Sequence, residues 1–211
     1  MIRILICDDH RIVREGIKQM LADASDMQVL AEAASAEDAL AQIARLGAAA
    51  LDVLLVDIAL PGRDGLELLQ HLKQQHPDLP VLMLSTYPEK QYAVRCLKLG
   101  ASGYLNKSAD EADMLAALRK VAAGGVYVTA STAEALAAAV GSKPGPEALS
   151  HREHQVFRLL TQGCSVSEIG AQLKIAPNTV STYRTRILEK TGAKNDVELA
   201  LYAQRHANTR F

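Results

Sequence analysis

Five side chains suited to phosphate or metal chemistry stand at the ends of apolar runs in the first half of the chain. Asp8 and Asp9 follow Ile2–Cys7, and Asp57 closes Val53–Asp57 within LLVDIALPGRDG. Ser85 closes Val81–Ser85, and Lys107 follows Gly103–Leu105. A charge at the end of a buried strand costs free energy unless it is paired or used. Three carboxylates gathered at one point raise one another's pKa, and a hard divalent cation relieves that repulsion. Mg²⁺ takes oxygen ligands octahedrally while keeping several waters. Such a pocket suits phosphoryl transfer to a carboxylate, with Asp57 as nucleophile and Mg²⁺ neutralising the phosphoryl oxygens. Ser85 then donates a hydrogen bond to the new phosphate and Lys107 pairs with another of its oxygens. A plainer alternative has Asp8 and Asp9 capping the next helix and Lys107 meeting a surface acid; five landmarks at four strand ends weigh against it.

Those positions demand an architecture that gathers strand ends. Residues 1–125 alternate β-rich runs, Ile2–Cys7, Gln28–Ala33, Val53–Asp57, Val81–Ser85 and Gly103–Leu105, with amphipathic helical stretches. Val13, Gly16, Ile17, Met20 and Leu21 share one face at helical spacing. The last helix is expected to open with a capping box at Ser108–Glu111 and to bury Met114, Leu115, Leu118 and Val121. Five β–α repeats predict an α/β doubly wound sheet of five parallel strands with helices on both faces. Ligands of such sheets bind at the carboxyl ends of the strands.

Residues 141–148, GSKPGPEA, interrupt every pattern, and Ala130–Val140 reads as a short helix leading into them. The reading is therefore a domain over 1–125, a linker with a short helix over 126–147, and a small all-α domain over 148–211. The net charge of −1 conceals an asymmetry. Residues 1–147 hold 14 Lys and Arg against 19 Asp and Glu, and residues 148–211 hold 9 against 5. A basic back half suits a polyanionic partner. The three Cys (Cys7, Cys96 and Cys164) are odd in number and far apart, as expected of reduced thiols in the cytoplasm. No signal-peptide layout or run of roughly 20 apolar residues is present, so no membrane partner is expected.

From Leu149 the chain reads as helices. Ser150–Glu153 and Ser165–Glu168 are capping boxes, Pro177 suits the first turn of a third helix, and a fourth runs through Val197–His206. Residues 165–190 read as helix, turn, helix. Val180, Tyr183, Ile187 and Leu188 form a buried stripe, which turns Ser181, Thr182, Thr185, Arg186 and Glu189 outward. A face of short hydroxyls with one Arg fits the major groove of double-stranded DNA. Arg184, Lys190 and Lys194 flank it and can neutralise phosphates. An ordinary solvated helix is the bland reading of the same face.

The motifs CDD at 7–9, LLVDIALPGRDG at 54–65, VLMLS at 81–85 and GASGYLNK at 100–107 resemble the flavodoxin-like receiver domain of two-component response regulators. Residues 149–195 resemble the LuxR-type helix-turn-helix, so nearly the whole chain is similar to the NarL/FixJ family. The resemblance implies that Asp57 accepts a phosphoryl group from a sensor histidine kinase. It places Mg²⁺ on Asp8, Asp9, Asp57 and the carbonyl of Ala59, and makes Ser85 and Tyr104 a switch pair. It puts DNA contacts on the helix beginning near Pro177, at Thr179, Ser181, Thr182, Arg184, Thr185, Arg186, Lys190 and Lys194. It also implies a homodimer, paired through the last helix, when phosphorylated or DNA-bound. Ser108 stands where receivers usually carry Pro, Ser181 where the family often has Lys, Tyr183 where it often has His, and Ala176 where Ser commonly caps the helix. The unphosphorylated receiver is expected to cover the recognition helix or to keep the chain monomeric. Haloacid-dehalogenase-type phosphatases also use an Asp nucleophile with Mg²⁺, but they need an acid where Ala59 stands, and enzymatic activity is not expected. An adaptor signalling through protein contacts without DNA remains the alternative.

Overall fold

A computed structural model describes residues 1–87, 89–139, 149 and 151–207. The chain divides into two compact units, Met1–Val140 and Gly141–Phe211.

The first unit is built on five parallel strands, β1 (Ile2–Cys7), β2 (Met27–Ala33), β3 (Val53–Asp57), β4 (Val81–Ser85) and β5 (Gly103–Asn106), in the order β2-β1-β3-β4-β5. β3 and β4 are buried along their whole length, as strands covered on both faces must be. The period of two sorts their side chains. Leu5, Cys7, Leu54, Val56 and Met83 face α2 (Ala36–Leu46), α3 (Gly65–Gln75) and α4 (Glu89–Lys98). Ile4, Ile6, Val53, Leu55, Leu82 and Leu84 face α1 (Arg11–Ala22) and α5 (Glu111–Ala122). α6 (Ala130–Ala139) packs on α4.

The start of α5 differs from the sequence expectation. Ser108 does not cap it: its backbone N–H and its hydroxyl both donate to Asn106 Oδ1, at 2.9 and 2.7 Å. Asn106 thus holds Ser108 in a local turn, and the cap passes to Asp110, whose carboxylate accepts from the Asp113 N–H at 2.9 Å. This is the shape the β5–α5 loop takes with Ser108 in the place of Pro.

The second unit packs α7 (His151–Thr161), α8 (Val166–Leu173), α9 (Pro177–Thr191) and α10 (Asp196–Ala207) around Val156, Leu160, Ile169, Val180, Ile187 and Leu199. Ser165 and Glu168 form the expected capping box of α8. The box expected at Ser150 falls outside the described residues. A Cβ on Gly170 would lie 2.8 Å from the Ile175 carbonyl, so the tight turn between α8 and α9 requires glycine there. Among the described residues no helix is long and apolar enough to cross a membrane.

Candidate functional site

Parallel pairing delivers the acidic residues to one edge. The Asp8 N–H donates to the Ala33 carbonyl at 3.1 Å, extending the β1–β2 ladder by one residue, and Asp57 pairs in register with Leu84. Beyond β5, the Lys107 N–H donates to the Ser85 carbonyl at 2.8 Å. Asp8 and Asp57 are each 1% exposed. Lys107 Nζ lies between them, 2.6 Å from Asp8 Oδ2 and 2.8 Å from Asp57 Oδ2. The alternative of a surface partner for Lys107 does not hold. Nor do the acids cap the first turn of α1: its N-cap is His10, whose side chain makes no capping bond, and Asp8 Oδ1 accepts from the His10 N–H at 2.8 Å, one residue before the helix begins.

Burial pushes the Asp57 carboxyl above its usual range; Lys107 and the Ala59 N–H work against this, and the neighbouring Asp8 charge adds to it. Burial alone lowers the Lys107 ammonium, but its bonds to Asp57 and Asp8 outweigh that and leave it raised, hence charged at neutral pH. Three carboxylates against one ammonium leave two negative charges uncompensated by Lys107. Asp8 Oδ2, Asp9 Oδ1 and Asp57 Oδ2 receive no well-directed hydrogen bond; Lys107 Nζ lies close to the first and third, and His10 Nδ1 to the second. A divalent cation supplies the missing charge and takes such oxygens as ligands, so this donor set fits Mg²⁺. His10 adds a donor that the sequence reading passed over. Its Nδ1 is 2.8 Å from Asp9 Oδ1, and one ligating atom from each of Asp8, Asp9, His10 and Asp57 falls within 4.8 Å of the others. The signal was its place directly after the acidic pair.

A carboxyl whose folded pKa exceeds its unfolded value, about 3.9, carries a cost that is absent below the unfolded pKa and grows as pH rises through the folded one. Neutralising Asp57 therefore stabilises the first unit at neutral pH. Saturating Mg²⁺ is expected to raise the calorimetric midpoint of the wild type, the binding stabilising it by about 2.7 kcal/mol at a hundred times Kd. Asp57→Asn is expected to start higher and to gain less from Mg²⁺. Equal Mg²⁺ gains in both would place the cation elsewhere.

The proposed switch residues lie beside this pocket. Ser85 is fully buried, and its Oγ accepts from the Tyr87 N–H at 3.1 Å. Tyr104 is 2% exposed, its hydroxyl donates to the Tyr87 carbonyl at 2.7 Å, and burial pushes its phenol pKa up. The ring is thus inside the fold in this structure.

In the second unit α9 presents the expected faces. Val180 and Ile187 are buried and Tyr183 and Leu188 half-buried, while Thr179, Ser181, Thr182, Thr185 and Arg186 are exposed. The hydroxyls of Ser181, Thr182 and Thr185 donate back to the carbonyls of Pro177, Asn178 and Ser181, at 3.2, 3.0 and 3.1 Å. They therefore present lone pairs and methyl groups outward. The flanking cations diverge. Lys194 is exposed, Arg184 Nε meets Asp196 Oδ1 at 2.8 Å, and Lys190 Nζ meets the buried Glu153 at 2.9 Å. Neither pairing was visible in the helical-wheel reading.

Comparison with known proteins joins these two units. Residues 4–119 match the model of the response regulator receiver domain, and residues 147–203 match that of bacterial regulatory proteins of the luxR family. Response regulator GacA of Pseudomonas viridiflava is 42% identical over 212 residues, covering 98% of this chain and 97% of its own. The chain belongs to the NarL/FixJ family of response regulators. Response regulator UvrY of Escherichia coli K12 is 35% identical over 213 residues, covering 98% and 95%. Among solved structures, response regulator ChrA of a heme-sensing two-component system aligns with a TM-score of 0.53 at 31% identity, over 98% of both chains. The two-component response regulator RcsB, solved as a DNA complex, aligns with a TM-score of 0.59 at 26% identity, over 96% of this chain and 98% of that one. As a member of this family the chain is a DNA-binding regulator of transcription, with a receiver domain and a LuxR-type DNA-binding domain.

Proposed function

We infer that phosphorylation of Asp57 by a sensor histidine kinase controls the sequence-specific DNA binding of this regulator. The observation that carries this reading is the buried Asp8–Lys107–Asp57 bridge at the carboxyl edge of the sheet. An Asp57 oxygen attacks the phosphorus of the donor phosphohistidine; the P–N bond breaks, and its electron pair and a proton return to the departing imidazole. Asp8, Asp9, Asp57 and the Ala59 carbonyl would hold Mg²⁺, whose charge would offset that of the phosphoryl oxygens. Lys107 turns from its carboxylate partners to a phosphoryl oxygen, and the Ser85 hydroxyl donates to another. The reading makes the chain a cytoplasmic regulator with no catalytic turnover of its own, since Ala59 offers no general acid beside the acyl phosphate.

On the DNA side, Thr179, Ser181, Thr182, Thr185 and Arg186 approach base edges, Arg184 and Lys194 flank the phosphates, and Lys190, paired with the buried Glu153, serves the fold. α10 leaves Val197 72% and Leu201 44% exposed, an apolar strip that suits a second copy of the chain. RcsB, in one solved assembly, binds DNA as dimers, and inverted half-sites follow from two-fold symmetry.

The test selects DNA from a random pool and compares affinity with and without acetyl phosphate and Mg²⁺. Phosphorylation is expected to tighten binding by about 5- to 150-fold, the usual range of a coupling free energy, and to leave Asp57→Asn unmoved. Equal gains in the two proteins would reject the switch. Affinity indifferent to salt would reject a phosphate-backbone interface and favour a protein adaptor.

A further inference from the structure

The helix α6 is fastened to α4, which follows β4 and its Ser85, and the segment just before α6 is fastened to the start of β5, which carries Tyr104; both fastenings are polar. Thr129 and Thr132 both donate their hydroxyl protons to Glu89 Oε1, in the first turn of α4. Thr129 also caps α6: its Oγ1 accepts from the Thr132 N–H at 3.2 Å, and its carbonyl accepts from the Ala133 N–H at 3.0 Å. Thr132 is only 2% exposed, so its hydroxyl has been withdrawn from water for this contact. Just before α6, the Tyr127 N–H donates to the Ser102 carbonyl at 2.8 Å, and Tyr127 bridges to Gly103 beside β5. A Cβ on Gly103 would lie 3.0 Å from Tyr127, so this close approach depends on glycine.

The clasp lies a short step from the phosphoacceptor edge. Ser85 Oγ accepts the Tyr87 N–H, the Tyr87 carbonyl accepts from Tyr104 and from Asn106 Nδ2, and Glu89 follows two residues later. A Ser85 hydroxyl that reorients toward a phosphoryl oxygen gives up the geometry of its Tyr87 bond. The segment that aims Glu89 then moves relative to α6, and one carboxylate oxygen cannot follow two hydroxyls that are fixed on another helix.

Resting on the proposed phosphorylation of Asp57, we propose that Glu89, Thr129 and Thr132 form an autoinhibitory latch: it is closed in the unphosphorylated chain and holds α6 on α4, and phosphorylation opens it. α6 is the last helix before the DNA-binding half in sequence, so its release is what the second unit senses. The latch acts by positioning; none of its three residues touches phosphate or DNA.

Hydrogen exchange of the full chain tests this over residues 129–139. Acetyl phosphate with Mg²⁺ is expected to speed exchange there by about tenfold or more in the wild type, a local opening. Thr132→Val keeps the side-chain shape without the donor and is expected to exchange fast before any phosphorylation. It should also bind the selected DNA about tenfold more tightly than the unphosphorylated wild type. Thr132→Ser, which restores the hydroxyl, should return both properties to wild type, and Glu89→Ala should copy Thr132→Val. Wild-type protection in both Thr132→Val and Glu89→Ala overturns the latch, as does an Asp57 adduct seen by mass spectrometry without faster exchange. If no adduct forms, the phosphorylation reading fails, while the contrast between Thr132→Val and Thr132→Ser still decides the latch.

Discussion

Replacing Lys190 with Met is expected to remove most of the stability of the DNA-binding unit, and DNA affinity falls with it. Glu153 on α7 keeps only 3% of its side chain exposed, and Lys190 Nζ reaches it from α9 at 2.9 Å. Removing one partner of a buried pair costs up to about 3–5 kcal/mol, because the remaining charge stays desolvated with less to compensate it. A unit of this size has little more than that to lose, given that whole domains are stable by about 5–15 kcal/mol and small ones bury the least surface. Hydrogen exchange over α7 and α9 in the full chain measures the loss. The double variant Glu153→Leu/Lys190→Met is expected to recover most of it, since apolar replacement of both members is often neutral. Arg184 behaves differently. Its pair with Asp196 keeps 35% and 45% of the two side chains exposed, and exposed pairs contribute about 0–1 kcal/mol. Arg184 is therefore free to act on phosphate at small cost to the fold. A Lys190→Met chain with wild-type exchange but weakened DNA binding would show that this lysine serves the phosphates instead.

That contrast shows what was legible in the sequence. Apolar period marks strands and buried helical stripes, so the ends of β1, β3 and β4 and the Val180–Ile187 stripe could be read directly, that of β5 to within one residue, and strand ends fix where Asp57, Ser85 and Lys107 gather. Pairings between distant residues carry no such period. Lys190 and Glu153 are 37 positions apart, and Thr132 and Glu89 are 43 apart. Only the packing of α9 on α7 and of α6 on α4 brings each pair together. The cap of α5 was misplaced for a local reason. Ser108 and Asp110 both offer a capping oxygen, and Asn106 decides between them by engaging Ser108 first.

Gly65→Ala is expected to damage the receiver more than any single change to its acidic side chains. A Cβ at position 65 would stand 2.1 Å from the Asp57 backbone oxygen and 2.9 Å from the Asp57 carbonyl carbon and Ile58 Cα. All three atoms are backbone, so no rotamer change relieves the clash, and the strand or the start of α3 must move. The Gly65 N–H donates to the Ile58 carbonyl at 3.0 Å, and the neighbouring Asp64 caps α3 by accepting from the Glu67 N–H at 2.8 Å. Displacement therefore strains the cap as well as the strand end. A cost of about 3 kcal/mol is expected from overpacking that rotamers cannot absorb, and a fall of about 10 °C in the midpoint of the first unit. The displaced peptide is that of Asp57, the proposed phosphoacceptor, so Mg²⁺ should lose much of its stabilising effect in this variant. Asp57→Asn, by contrast, is expected to raise the midpoint. Opposite signs from two changes at one strand end separate the packing of the site from its charge: Gly65 permits the geometry, and the carboxylate bears a desolvation cost that metal or phosphoryl chemistry puts to use. A Gly65→Ala chain with an unchanged midpoint and an unchanged Mg²⁺ response would show that this loop yields easily and does not hold Asp57 in place.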